Sequence, residues 1–120
     1  MSFPATYNFN YYRGDTNEFV VRPKNSDGSA FSLSGYTSVF FIATARGAAA
    51  GVVQRQGQAV VNTATNIITC TILPNLGVLL TPATYVYDVQ IEKTVSGVLS
   101  RFTLLTGTIT VTEQVSGAVV

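Results

Sequence analysis

Leu80-Thr-Pro-Ala-Thr-Tyr-Val-Tyr-Asp-Val-Gln-Ile-Glu-Lys93 is the stretch with the most regular alternation of apolar and polar residues in this chain. Every second residue from Tyr85 to Ile91 is apolar, and polar residues fill the positions between them except at Val86. Successive side chains of a β-strand point to opposite faces, so this pattern predicts a strand whose odd-numbered face lies in the core. Pro82 cannot donate a hydrogen bond to a sheet, so we expect pairing to begin after a corner at this residue.

The same alternation predicts further strands, which short runs of turn residues separate. Gly14 with Asp15 and the pair Asp27-Gly28 are turn signals of this kind. The segment 46–51 is predicted to be a loop, the segment 55–57 a break between two short strands, and the segment 74–81 a short helical turn. Phe31 and Leu33 are expected to pack beneath the loop before them. The predicted strands are residues 6–12, 17–22, 36–45, 52–54, 58–62 and 67–73, followed by the two strands of a final hairpin.

The pairing of the final hairpin can be predicted from the side chains that would meet across it. A four-residue connection at 94–97 would place Val89 opposite Phe102 and Tyr87 opposite Leu104, so that apolar residues face each other. This register predicts that Tyr87 and Phe102 are both largely buried.

The second strand of this hairpin changes its apolar parity along its length. Phe102 and Leu104 have even numbers, whereas Ile109 and Val111 have odd ones. One extra residue must therefore be accommodated between them, and glycine favours a β-bulge. We expect that bulge near Gly107.

The number of short strands and the lack of a long amphipathic helix predict the fold class. The chain is expected to be all-β, with an immunoglobulin-like two-sheet β-sandwich of about seven to nine strands. Residues 1–120 are expected to form a single domain. The corner Leu80-Thr-Pro82 followed by Tyr85 resembles the tyrosine corner of fibronectin type III and immunoglobulin domains.

Composition excludes several classes of partner. Charged residues make up 11% of the chain, apolar residues 47%, and the net charge is +1. So small a charge creates no field that would attract nucleic acid or anionic lipid. We expect no membrane span and no secretory signal peptide, because the chain has no long apolar run and no basic start followed by one. The basic residues are scattered rather than clustered: Arg13, Arg22, Lys24, Arg46, Arg55, Lys93 and Arg101.

The sequence offers no set of residues for catalysis or for a cofactor. There is no histidine and only one cysteine, so neither a catalytic triad nor a zinc site can be assembled. Cys70 shares parity with Ile68 and Ile72, which favours a buried thiol over an intermolecular disulfide. No catalytic, cofactor-binding or metal residue is predicted, and the protein is expected not to be an enzyme.

Two short patterns allow alternative interpretations. Arg13-Gly14-Asp15 matches an integrin-binding tripeptide, but these are also common turn residues, and we interpret them as a turn. Asp15, Asp27 and Asp88 could meet around calcium. No loop has the repeated carboxylates of a calcium cage, however.

The first third of the chain resembles a family of phage proteins. Tyr12-Arg-Gly-Asp-Thr16, Asp27-Gly-Ser29, Phe31-Ser-Leu-Ser-Gly35 and Val39-Phe-Phe-Ile42 are similar to the opening of the immunoglobulin-like domains at the front of bacteriophage baseplate upper proteins. The resemblance implies that the Gly-Asp pair makes a turn and that the domain docks on the virion. Adhesion or fibre modules usually follow in that family, and here the sequence ends at Val120, so an attachment, adaptor or decorating role is expected.

Three functions remain open at the level of sequence. The first is a structural component of a tailed-phage virion, a baseplate or tail-fibre attachment protein; the second is capsid decoration. The third is a carbohydrate-binding or adhesive module, which exposed tyrosines in a row would favour. The expected partners are other virion proteins and copies of the chain itself, joined through edge strands and the apolar chain ends. Nucleic acid, membrane and small-molecule substrates are not expected.

Overall fold

The computed structural model describes residues 5–45 and 54–113. In these ranges the chain is β-structure with one helical turn, so the predicted all-β class is confirmed. The predicted loop 46–51, most of the strand predicted at 52–54 and both chain ends lie outside the described residues. The elements are the strands β1 Ala5–Thr6, β2 Phe9–Tyr12, β3 Asn17–Val21, β4 Thr37–Ala43, β5 Gln54–Asn62 and β6 Ile67–Ile72, the helix α1 Pro74–Gly77, and the strands β7 Thr84–Val95 and β8 Val98–Thr112.

Strand β5 joins two packed layers of strands. Its first residues, Gln54 to Gly57, pair with β4, and residues Gln58 to Asn62 pair with β6. One layer therefore contains β1 and β2, β8, β7, β4 and the beginning of β5, and the other contains the end of β5, β6 and β3. All neighbours are antiparallel except β1 and β2, which run parallel to β8. The predicted immunoglobulin-like sandwich is confirmed.

Gly57 is the residue at which β5 changes its partner. The prediction of a break at residues 55–57 is wrong, because the strand continues through this glycine. The ring of Phe40 packs so close to Gly57 that a Cβ atom there would lie 2.5 Å from the ring. The absence of a side chain therefore lets a large core residue pack against β5 where the strand changes its partner.

Aromatic rings join the two layers in the centre of the core. Phe19 of β3 lies 5.4 Å, centroid to centroid, from Phe40 of β4 and 6.0 Å from Tyr87 of β7. Phe9 of β2 lies 5.4 Å from the same tyrosine. Edge-to-face pairs of this kind contribute about 0.5–1.5 kcal/mol each beyond the area that they bury. The predicted inward face of β7 is confirmed, because all four of its residues are buried: Tyr85, Tyr87, Val89 and Ile91.

The register predicted for the final hairpin is wrong. The connection is the two-residue turn Ser96-Gly97, with φ angles of 52° and 78°, rather than a four-residue loop. Two-residue turns with positive φ at both positions match the twist of the flanking strands. Val89 therefore pairs with Leu105 instead of Phe102, and Phe102 is only half-buried.

The extra residue of β8 lies at Leu104, not near Gly107 as predicted. The pairing with β7 shifts between Val89 and Gln90, and the consecutive residues Leu104 and Leu105 are both buried. A bulge at this place turns two successive side chains towards the core. The ladder then continues without interruption through Gly107.

The strand predicted at residues 6–12 is divided into β1 and β2. At the division, the N–H of Tyr7 donates to the carbonyl of Thr106 at 3.0 Å. The side-chain oxygen of Asn8 accepts the N–H of Thr108 at 2.9 Å and so takes the place of a backbone acceptor. The hydroxyl of Tyr87 donates to the carbonyl of Tyr7 at 2.5 Å. These bonds satisfy the backbone groups that the interruption would otherwise leave unpaired.

The corner before β7 has the geometry that the sequence suggested. The hydroxyl of Tyr85 donates to the carbonyl of Thr81 at 2.9 Å, which is the bond that defines a tyrosine corner. The predicted helical turn before it is present as α1, which begins at Pro74. Proline suits this position because the first N–H groups of a helix have no partner within it.

Candidate interaction surfaces

The carboxylates considered for calcium do not form a site. Within residues 5–45 and 54–113, no three histidine, cysteine or carboxylate side chains lie close enough together to hold a metal ion. Asp27 instead accepts hydrogen bonds from the hydroxyl and the backbone N–H of Ser29, at 2.6 and 2.9 Å. These bonds lower the pKa of Asp27. The carboxylate therefore stabilises the predicted turn.

Cys70 is buried in the middle of its layer, as predicted. It pairs with Phe19 of β3 on one side and with Ala59 of β5 on the other. Burial raises the pKa of the thiol to about 12. At neutral pH the thiol stays protonated, and a protonated, inaccessible thiol is a poor nucleophile. Cys70 packs as a small apolar residue.

The tripeptide Arg13-Gly14-Asp15 is a turn whose arginine is occupied within the molecule. Gly14 has a φ of 87°, and the N–H of Asp15 donates to the carbonyl of Tyr12 at 3.0 Å. The guanidinium of Arg13 donates through two nitrogens to the carbonyl of Val78, at 2.7 and 3.0 Å, and forms an ion pair with Glu113. The arginine therefore connects this turn to the helical corner and to the end of β8.

The first candidate interaction surface is the tip of the last hairpin, residues 94–101, which we call the hairpin arm. Each residue of the arm is exposed. The neighbouring strand β4 begins at Thr37, opposite Glu92, and β1 begins opposite Leu105, so no described strand accompanies the arm on either side. Its apolar side chains are exposed to 55% at Val95, 66% at Val98 and 51% at Leu99. Clustered exposed apolar residues mark sites of protein contact.

The second candidate surface is a groove of about 490 Å³ beside β3, which we call the edge groove. Its walls come from β3 and the residues after it on one side, and from the N-terminal strand and the bulge of β8 on the other. The described lining residues are Ala5, Tyr7, Phe19, Val20, Val21, Arg22, Pro23, Lys24, Leu104 and Leu105.

The tyrosines do not form an exposed row. Tyr11, Tyr85 and Tyr87 are buried, and Tyr36 is half-buried beneath Lys93. The exposed tyrosines among the described residues are Tyr7, which lies between β1 and β2, and Tyr12, the last residue of β2. The feature that would favour a carbohydrate-binding face is therefore not found in the described part of the chain. Nor does that part contain a helix long and apolar enough to cross a membrane.

Comparison with known proteins identifies the fold. No protein-family model matches the chain, and no curated protein matches it. Among solved structures, the chain is similar to the N-terminal domain of phage TP901-1 ORF48, with a TM-score of 0.56 and 14% sequence identity. The match covers 94% of this chain and 92% of that domain. The resemblance to a domain of a phage protein is thus confirmed at the level of fold.

A second similar structure covers only part of a larger protein. It is a family 123 glycoside hydrolase from Clostridium perfringens, with 12% identity and a TM-score of 0.35. The match covers 92% of this chain but 23% of the hydrolase. A TM-score this low does not establish a shared fold, so the match gives no reason to assign hydrolase activity.

Proposed function

We propose that this chain is a structural component of a tailed-phage virion, a baseplate or tail-fibre attachment adaptor that acts through protein–protein contacts. The supporting observation is the fold shared with the N-terminal domain of a phage protein over nearly the full length of both chains. In this proposal residues 1–120 are one docking domain, and its partners are other virion proteins and copies of itself.

The surface chemistry supports a docking role over a catalytic one. The described chain presents apolar side chains on the projecting hairpin arm and an apolar groove beside an edge strand. Both features suit contact with other proteins. The proposal requires no cofactor, substrate, nucleic acid or membrane.

Immunogold labelling of purified particles tests this assignment. An antibody raised against the chain should label the distal end of the tail. Label distributed over the capsid would instead support capsid decoration, the second function that the sequence left open. Particles without label, combined with binding of the purified chain on a glycan array, would overturn the virion assignment in favour of an adhesive module.

A further inference from the structure

Strand β3 is the last strand of its layer, and its outer edge has no strand partner among the described residues. It pairs with β6 in an uninterrupted antiparallel register from Asn17 to Val21. In such a ladder alternate residues direct their N–H and C=O groups away from the partner. Natural sheets commonly protect such edges with lysine, proline or a bulge. β3 itself contains no lysine, no proline and no bulge, and its one charged residue is Glu18, near the start of the strand.

The edge groove lies directly beside this open edge. Phe19 and Val21 of β3 belong to the core face, and Val20 lies on the opposite face of the strand. The other wall contains the two leucines of the β8 bulge. The volume of about 490 Å³ is within the range of sites that hold side chains of a ligand. An added strand would find apolar space next to its backbone partners.

The end of the groove is basic. Arg22 and Lys24 are exposed at the end of β3, and neither forms an ion pair with a described residue. The described residues that line the groove include no carboxylate. The charge at this end of the groove is therefore positive, although the whole chain has a net charge of only +1. This charge selects for an acidic group on whatever occupies the groove.

We propose that the edge groove binds an extended segment of another virion protein, which adds as a strand to β3. The segment has apolar side chains at alternate positions and a carboxylate that reaches Arg22 or Lys24. In this mode of recognition the backbone hydrogen bonds supply affinity, and the pockets for alternate side chains supply specificity. The inference rests on the proposed function, because it names the surface through which the adaptor docks.

A titration of the ¹⁵N-labelled chain with a capped heptapeptide of alternating valine and glutamate tests the chemistry. We expect chemical-shift changes at the amides of β3, and slower hydrogen exchange at those that face the groove. A matched peptide with lysine in place of glutamate should bind about tenfold more weakly, because its charges meet Arg22 and Lys24. A peptide with a central proline should not bind, because proline cannot complete the ladder. Equal binding of the three peptides, or shifts confined to other strands, would overturn the proposal.

A pair of substitutions tests the position. Val20 on β3 and Val60 on β5 both pair with Thr69 of β6, so the two valines lie in one row across the layer. Val20→Glu should abolish binding of the glutamate peptide, because its carboxylate repels those of the peptide, whereas Val60→Glu should leave the binding unchanged. Circular dichroism of both variants checks that they fold. The inference is wrong if both variants bind equally.

Other occupants of the groove give different results. If the glutamate peptide binds only after residues 1–4 are removed, the groove belongs to the chain itself and the proposal fails. If the chemical shifts of the β3 amides change with protein concentration, and none of the peptides reverses this change, the occupant of the groove is a second copy of the chain. The proposal then also fails. Failure of the proposed function is a separate result: the peptide then binds at β3, but the chain is absent from purified particles.

Discussion

The carbonyl oxygen of Tyr7 lies so close to Gly107 that a Cβ atom at residue 107 would overlap it. The same carbonyl accepts the hydroxyl hydrogen of Tyr87 at 2.5 Å, from the strand on the other side of β8. Gly107 therefore has its place because two backbones meet there, and not because the strand bulges. This contact, which we call the crossing, holds residue 7 against β8 in the interruption between β1 and β2.

We expect Gly107→Ala to lower the free energy of unfolding by about 2–3 kcal/mol, because the added methyl must displace backbone. Urea denaturation followed by circular dichroism measures the change. Gly97→Ala is the control, since Gly97 has a φ of 78° with open space around it, and its strain alone should cost about 1–2 kcal/mol. A cost for Gly107→Ala that does not exceed that of the control would contradict the proposed crossing.

Tyr87→Phe should lower the free energy of unfolding by about 1–2 kcal/mol. The substitution keeps the buried ring but leaves the partly buried carbonyl of Tyr7 without its donor. The same denaturation experiment checks the result. Tyr12→Phe, which removes a hydroxyl from an exposed side chain, should change stability by less than about 0.5 kcal/mol. Similar effects of the two substitutions would show that the bond contributes nothing specific.

The buried thiol predicts a loss of stability in alkaline solution. The pKa of Cys70 is raised by burial from its ordinary value of 9.0 to about 12, so the folded chain holds its proton where the unfolded chain releases it. The contribution of the thiol to stability is complete below about pH 8 and is lost as the pH rises from about 9 towards 12, by up to about 1.4 kcal/mol per pH unit.

Cys70→Ala isolates this contribution. Burial also raises the pKa of Tyr87, which acts in the same direction in both proteins. The free energy of unfolding of the wild-type chain should therefore decrease more steeply between pH 9 and pH 11 than that of the variant. Parallel curves for the two proteins would show that the thiol ionises equally in both states.

The sequence predicted those features that depend on side-chain parity within one strand. The inward face of β7, the burial of Cys70 and the corner at Tyr85 each follow from local residues, and each is confirmed. The hairpin register could not be fixed in this way. It depends on whether Ser96 adopts a positive φ, which serine does rarely, and a four-residue loop gave an equally consistent pairing of apolar residues.

The position of the bulge had a signal that parity alone did not reveal. Leu104 and Leu105 are the adjacent large apolar residues at which the alternation changes. The bulge was predicted near Gly107 instead, because glycine is common in bulges. The role of Gly107 arises from a strand about a hundred residues earlier in the chain, so no local pattern could show it. The edge groove likewise combines residues from three separated segments.

The hairpin arm gives the most direct test of the adaptor role. We expect the triple variant Val95→Thr, Val98→Thr and Leu99→Thr to fold normally, because threonine suits a strand and each site is exposed. Its incorporation into particles should fall by about tenfold, the effect of losing about 1.4 kcal/mol of contact. Complementation of a phage that lacks the gene, with quantitative mass spectrometry of purified particles, measures this. Leu79→Thr, at another exposed leucine, is the control and should incorporate normally. Wild-type incorporation of the triple variant would mean that the arm projects away from every partner in the particle.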